Sequence, residues 1–257
     1  MNFDLLLVDS KDEKTFKMKK AIIVGASSGI GKEIALSLLR DHYKIGITGR
    51  RINNLEEIKK LDSKNIFVSS FDCTKESNAK KLDELAKLMG GLDMLVISSG
   101  FGDVNKSLEF SIEDKTNQLN VVAFTETVGW GFNYFFKQNS GHIVAISSIA
   151  GIRGNGLAPS YNASKAYQIN YLEGLRFKVF RLKKSIDITD VRPGYVDTEI
   201  LKGNKDKLYW VQSLKKANKQ IMSAINKKKK SVYITKRYNI VAFILKFIPE
   251  RILKKLF

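Results

Sequence analysis

The sequence predicts an α/β protein with one parallel sheet covered by helices on both faces, and three observations carry that prediction. Short β-rich runs alternate along the chain with amphipathic stretches of helical length. Several of the runs are apolar on both faces, as strands covered on both sides require. Pro159, Pro193 and Pro249 each fall at a predicted element boundary. The 257 residues show no internal repeat and no Gly/Ser linker, so one domain with a single well-buried core is expected.

Taken in order, the first strand, Ala21–Val24, runs into Gly25-Ala26-Ser27-Ser28-Gly29-Ile30-Gly31, where a helix over 30–41 begins. Glycines in such a strand–turn–helix let the backbone turn sharply and approach a pyrophosphate, whose charge the helix N-terminus stabilises. Gly25, Ser27, Ser28, Gly29, Ile30 and Gly31 are therefore candidate dinucleotide-binding residues. The second strand, Ile45–Thr48, is followed by Gly49, Arg50, Arg51 and a helix over 53–61. An acid near that point would bind a ribose 2′-hydroxyl, whereas Arg accommodates a 2′-phosphate. No acid occurs there before Glu56, so NADP(H) is expected over NAD(H), with Arg50 and Arg51 as its ligands.

The third strand, Ile66–Ser69, leads to Asp72 and Cys73, where a carboxylate can accept from the adenine amino group, and then to a helix over 76–89. The fourth, Met94–Ser98, closes on Ser99 and Gly100, small enough to admit a cofactor. A long helix over 111–138 contains Asn120, conspicuous there as a poor helix former. The fifth strand, His142–Ser147, delivers Ser148, and a helix over 160–184 follows. The sixth, Ile186–Val191, ends in Arg192-Pro193-Gly194-Tyr195-Val196-Asp197-Thr198, at the strand ends where an open α/β sheet lines its ligand crevice. A helix over 206–226 and a last strand, Val232–Thr235, complete the pattern.

Tyr161 and Lys165 are four residues apart, one turn along a single helix face. A phenol titrates near ~10 and is a poor acid at neutral pH. A neighbouring ammonium favours the phenolate and brings it toward the working range. Ser148 can then hold a substrate oxygen while Tyr161 exchanges a proton with it.

Together these motifs resemble the short-chain dehydrogenase/reductase family, single-domain branch, over about residues 18–235. The family's T-G-x-x-x-G-x-G appears as Val24-Gly25 through Gly31, with Val24 replacing the threonine. Its N-N-A-G appears as Ile97-Ser98-Ser99-Gly100, keeping only the glycine; the lost asparagines bear on local stability more than on chemistry. Tyr161 lies thirteen residues after Ser148, as the family expects. The resemblance implies a Rossmann-type, doubly wound, seven-stranded parallel sheet and a catalytic set of Asn120, Ser148, Tyr161 and Lys165. It implies hydride transfer between NADP(H) and a carbonyl or secondary alcohol. Tyr161 and Lys165 would also meet the cofactor, and Pro193, Gly194, Val196 and Thr198 would line its nicotinamide side. A bent helix at Asn120 would hold a water that relays protons to Lys165. A homodimer or homotetramer is implied, joined through the helices over 111–138 and 160–184. A lipophilic or 3-oxoacyl carbonyl substrate competes with sugars or small aldehydes. A rival function is a non-catalytic NADP sensor or membrane-bound interaction protein that retains the fold, against which the intact set of four argues.

Composition narrows the remaining classes. The net charge is +18, but residues 201–257 hold fourteen Lys and two Arg against Asp206 and Glu250, a net +14. The first 200 residues carry only +4, so binding of nucleic acid by the whole protein is not expected. One cysteine excludes an internal disulfide and fits a cytoplasmic location. With two histidines, both expected at the surface, and no Cys/His cluster, no metal site is expected. Residues 1–17 have no signal-peptide pattern, and translation is expected to start at Met18, leaving 1–17 an unneeded or loose arm. A substrate lid is expected at about 199–230, with Leu201, Leu208, Tyr209, Trp210, Val211 and Leu214 as its apolar wall. Residues 236–257 mix apolar residues with lysines, too short a run to span a bilayer. They suit peripheral contact with the inner surface of an anionic membrane, or packing on the body or on a partner subunit.

Overall fold

The computed structural model describes residues 18–199, 201 and 210–253. Seven strands form one parallel sheet: β1 (Lys20–Val24), β2 (Lys44–Gly49), β3 (Ile66–Ser70), β4 (Met94–Ile97), β5 (Ser140–Ile146), β6 (Ser185–Pro193) and β7 (Ser231–Ile234). Their order is β3-β2-β1-β4-β5-β6-β7. The chain starts in the middle, winds outward to β3, returns beside β1 at β4, and winds outward again to β7. That reversal between β1 and β4 opens a crevice at the carboxyl ends of the strands.

Alternate side chains of each central strand enter two separate cores. Ala21 and Ile23 of β1, Met94 and Val96 of β4, and Val144 and Ile146 of β5 join one cluster. Under the helices α1 (Gly29–Arg40), α2 (Ile52–Lys59) and α7 (Leu214–Asn226), it is extended by Ile34, Leu38, Leu55 and Ile221. Ile22, Val24, Leu95, Ile97, Ile143 and Ala145 face the other way, onto α3 (Asn78–Met89), α5 (Phe124–Gln138) and α6 (Pro159–Arg181). Fully apolar strands are thus the consequence of two covered faces, and removing a buried Ile or Leu side chain costs about 2–5 kcal/mol.

Local signals fix the helix ends. Ser77 accepts from Lys80 N at 3.4 Å to open α3, which closes on Gly90 at φ 75°. Pro159 occupies the first position of α6, where no amide hydrogen is needed. The expected helix over 111–138 is α4 (Phe110–Asn117), a π-helical turn over Gln118–Ala123, and α5. Of the helix expected over 206–226, residues 214–226 form α7, and Trp210 before it has a positive φ of 63°. Residues 206–209 and 1–17 lie outside the described residues. Beyond β7 follow α8 (Arg237–Phe247) and α9 (Glu250–Leu253), with Pro249 at the junction.

His142 corrects the expectation of two surface histidines. It sits on β5 between β4 and β6, opposite Met94 and Asp187, and is only 5% exposed. Its Nε2 lies 2.8 Å from Thr189 Oγ1. Interior position in the sheet buried it; His42, in a turn at φ 60°, is exposed.

Burial pulls the His142 pKa down to about 4, so the folded protein holds the ring neutral. The unfolded chain takes up a proton near pH 6.5, so this contribution is complete above that pH and is lost as pH falls toward 4. It amounts to about 3 kcal/mol. Denaturant titrations at pH 7.5 and 4.5 are expected to show a steep loss of stability that His142→Gln flattens.

Candidate active site

The glycine turn after β1 is pinned to β2, since Gly25 N and Ala26 N both donate to Thr48 O, at 3.0 and 2.9 Å. A Cβ on Gly31 would fall 2.1 Å from Gly25 O, and one on Gly25, at φ +86°, 2.6 Å from Ser99 N. Only glycine permits that approach, which leaves backbone rather than side chains facing the crevice. At the start of α1, Ser28 makes no side-chain cap and no acid occupies the first turn, so the positive helix end is not neutralised locally. An anionic pyrophosphate fits such a turn.

Arg51 converges on the same place. Its Nε and Nη2 donate to Ser27 Oγ at 3.3 and 3.2 Å, Nη2 also donates to Ser28 Oγ, and Nη1 donates to Glu199 Oε2 at 2.7 Å. That hydrogen bond and the Arg51 charge hold the Glu199 carboxyl below its usual range. Glu199 oxygen thus stands where an external anion, such as a 2′-phosphate, would meet Arg51. Arg50 lies 4.0 Å from Asp72 Oδ2, while Asp72 Oδ1 accepts from Thr74 N and Oγ1 at 3.0 and 2.8 Å. Cys73 packs its side chain against the second core, and burial, aided by the Asp72 charge, pushes its thiol up to about 11. Its carbonyl accepts from Asn78 Nδ2 at 2.9 Å, so the cysteine serves packing and turn geometry.

The loop after β6 crosses to this turn. Gly194 N donates to Ile234 O at 2.7 Å, Val196 bridges Gln212, and the Thr198 methyl lies 3.5 Å from where a Gly29 Cβ would be. Pro193, Gly194, Val196 and Thr198 therefore share one crevice with Gly29, Ile30 and Gly31.

The second cluster sits at the end of β5. Ser147 donates to the Asp190 carboxylate, which also accepts from Arg192 Nε at 2.6 Å, and this buried pair ties β5 to β6. Ser148 then caps a 3-10 turn over Ile149–Ile152, accepting from Ala150 N at 3.1 Å. Tyr161 lies in the first turn of α6, where the Ser148 hydroxyl favours its phenolate form. One turn on, Lys165 is 4% exposed and donates from Nζ to Ile146 O at 3.1 Å and Gln168 Oε1 at 3.0 Å. Burial pulls its pKa down to about 8, with Asp190 acting in the opposite sense. Gly100 closes the group: a Cβ there would lie 3.5 Å from Lys165 Nζ.

One expectation changes here. Lys165 Nζ is 5.9 Å from the Tyr161 ring centre, and burial pushes the phenol up, with the Ser148 hydroxyl acting in the opposite sense. Asn120 lies in the π turn over Gln118–Ala123. It occupies a bend, as expected, and a side chain links its carbonyl to Lys165. Gln168 Nε2 donates to that carbonyl at 2.8 Å, and Gln168 Oε1 accepts from Lys165. The Asn120 side chain itself bonds Phe101 on both sides, accepting from N at 2.9 Å and donating to O at 2.6 Å, and donates to Ser164 Oγ at 3.0 Å. Gln168 and Glu199 escaped the sequence reading. Gln168 was findable at i+3 from Lys165 on one helix face; nothing local marks Glu199.

Residues 19–208 match the short chain dehydrogenase family, and the chain belongs to it: it is an oxidoreductase of that class. An uncharacterized oxidoreductase of Listeria monocytogenes is 33% identical over 200 residues, 75% of this chain and 80% of the relative. The 11-beta-hydroxysteroid dehydrogenase 1A of Arabidopsis thaliana is 32% identical over 197 residues, but these span only 54% of that protein. In solved structures, ElxO with NADP bound superposes with a TM-score of 0.75 at 24% identity, covering 84% of this chain and 97% of ElxO. At these identities the structures establish the shared fold.

Gln168→Leu removes an acceptor from a buried ammonium and is expected to shift the alkaline limb of the pH–turnover profile below about 8. Gln168→Glu, which places a carboxylate there, should shift it upward. A limb unmoved by both would separate Gln168 from Lys165.

Proposed function

We propose that the protein reduces a carbonyl compound to its secondary alcohol, or runs the reverse, with NADP(H). The observation that supports this most is the grouping of Ser148, whose hydroxyl favours the Tyr161 phenolate, with Tyr161 and the buried Lys165 one turn away. Burying an ammonium there costs stability that packing alone does not call for, and such perturbed groups cluster at functional sites, which disfavours a binding-only role. Within this reading the enzyme spans residues 18–235, with a lid at about 199–230.

The turn from Gly25 to Gly31 would hold the cofactor's pyrophosphate, with Arg50, Arg51, Ser27 and Ser28 at the 2′-phosphate. Asp72 and Cys73 would border the adenine, with Ser99, Gly100, Pro193, Gly194, Val196 and Thr198 along the nicotinamide half. When bound, NADPH supplies the hydride. Ser148 donates a hydrogen bond to the substrate oxygen and stabilises its developing negative charge. Tyr161 gives that oxygen its proton. Lys165, protonated below about pH 8, stabilises the phenolate that results. Asn120 and Gln168 act as positioning residues that hold Lys165 toward Ile146.

An apolar substrate is supported by the rim, where Leu157, Tyr195 and Trp210 are 45–50% exposed. The Arabidopsis relative, named for a steroid, is consistent with that class. Of the expected lid wall, Val211 and Leu214 are half-buried; Leu208 and Tyr209 lie outside the described residues. Association as a homodimer or homotetramer through α5 and α6 is supported by exposed Phe136, Phe177 and Phe180. The reading places the enzyme in the cytoplasm.

Tyr161→Phe is expected to abolish carbonyl-dependent NADPH oxidation across a panel of ketones and aldehydes while leaving NADPH binding nearly intact. Retained turnover would refute the assignment. Arg51→Ala should raise the Michaelis constant for NADPH much more than that for NADH. Glu199→Gln, which removes the competing carboxylate, should tighten NADPH about two- to fivefold, the scale of an exposed ion pair. A wild-type preference for NADH would overturn the cofactor choice.

A further inference from the structure

The helix α8 presents its faces in reverse of the usual order. Tyr238 and Ala242, 6% and 1% exposed, lie on the side turned to the body. On the opposite side Ile240, Phe243, Ile244 and Phe247 are 66, 65, 48 and 71% exposed. Their spacing of three and four residues places all four in one stripe. Ile252 of α9, 51% exposed, follows. Scattered apolar residues on a surface need no explanation, but a continuous stripe of four large side chains does.

The charges around the stripe identify what covers it. Lys236, Arg237, Lys246 and Arg251 are exposed along α8 and α9. Over residues 210–253 the one acid is Glu250. A second copy seated on this face would bring two strongly basic segments together, and their repulsion opposes that contact. An anionic phospholipid surface supplies both complements, hydrocarbon for the stripe and negative charge for its flanks. Among the described residues no helix is long and apolar enough to cross a membrane, so contact through α8 is peripheral.

The position of α8 connects this face to the candidate site. A Cβ on Gly194 would fall 2.0 Å from the Tyr238 ring, so the loop after β6 and the helix fit without space between them. Arg153, which closes the turn after Ser148, donates to the last carbonyls of α8: Leu245 O at 2.6 Å, Lys246 O and Ile248 O at 3.0 Å. Those contacts cap the helix and complement its negative end. Trp210 stands edge-on to Tyr238 at 6.2 Å, with Arg237 over its ring at 5.9 Å.

We propose that α8 docks the protein on an anionic phospholipid surface through Ile240, Phe243, Ile244 and Phe247, and so sets the rim of the crevice against the lipid. The docking stands on its own; that it serves delivery of a lipophilic carbonyl substrate from the bilayer rests on the reductase reading. The test compares the full chain with a Phe243→Ser/Phe247→Ser variant, both side chains being exposed on the face of α8 opposite Tyr238 and Ala242. Co-sedimentation is measured with phosphatidylcholine vesicles with and without phosphatidylglycerol, at low and high salt. Wild type is expected to bind the anionic vesicles, less at high salt, and the variant about tenfold or more weakly. Equal partitioning of both, or no binding of wild type, overturns the docking. So does a halving of solution mass in the variant without vesicle binding, which would assign the face to a second copy. Both proteins should reduce a water-soluble ketone equally, whereas a ketone held in anionic vesicles should be reduced faster by wild type. Failure of all turnover with vesicle binding intact would refute the reductase reading and leave the docking standing. Equal turnover of the vesicle-held ketone would overturn the delivery role.

Discussion

An ammonium group taken out of water destabilises a fold by several kcal/mol unless oxygen atoms surround it, and the architecture around Lys165 is organised by that requirement. The end of β5 supplies one acceptor, Ile146 O, and α6 supplies a second three residues along, Gln168 Oε1. Gln168 is itself oriented by the Asn120 carbonyl, which lies in a π turn of its helix. Asp190, buried and shared between Ser147 and Arg192, adds negative charge behind the group. Sheet end, helix face and helix defect therefore converge on one nitrogen. None of them would need this geometry for packing alone.

The strands were legible in the sequence because the sheet is buried on both faces, so each strand is an apolar run bounded by turn residues. All seven lie within two residues of where the pattern places them. The glycine turn was legible for a related reason: a steric limit, 2.1 Å from Gly31 to a carbonyl, leaves no choice of residue. What could not be read was three-dimensional. His142 looks like a polar residue at a strand start, and only its neighbours on β4 and β6 bury it. Glu199 meets Arg51 from 148 positions away, a distance over which sequence pattern carries no signal.

The Gln168 amide shows how far a motif reaches. Ser148, Tyr161 and Lys165 fix residue types and spacing, but not how the ammonium is kept in register. A water can rotate and pass protons; an amide with its oxygen on Lys165 and its nitrogen on Asn120 O holds one orientation. The spacing of the motif therefore does not disclose the buried support, which only the fold brings together. Tyr161 follows the same logic, since its phenol is raised by burial and restrained by Ser148. Its tuning depends on the pocket as much as on the lysine one turn away.

The tail joins the same arrangement from outside. Arg153 leaves the Ser148 turn and ends on the carbonyls of α8, while Tyr238 of α8 fills the space that Gly194 leaves vacant. The two loops that frame the crevice, one after β5 and one after β6, are thereby both fastened to a single helix. A force applied to α8 acts on Ser148 and on the Pro193–Gly194 turn together, through contacts of van der Waals and hydrogen-bond length. An outward apolar stripe on such a helix is consequently not a neutral decoration of the surface. Whatever seats the stripe also constrains the separation of these two loops.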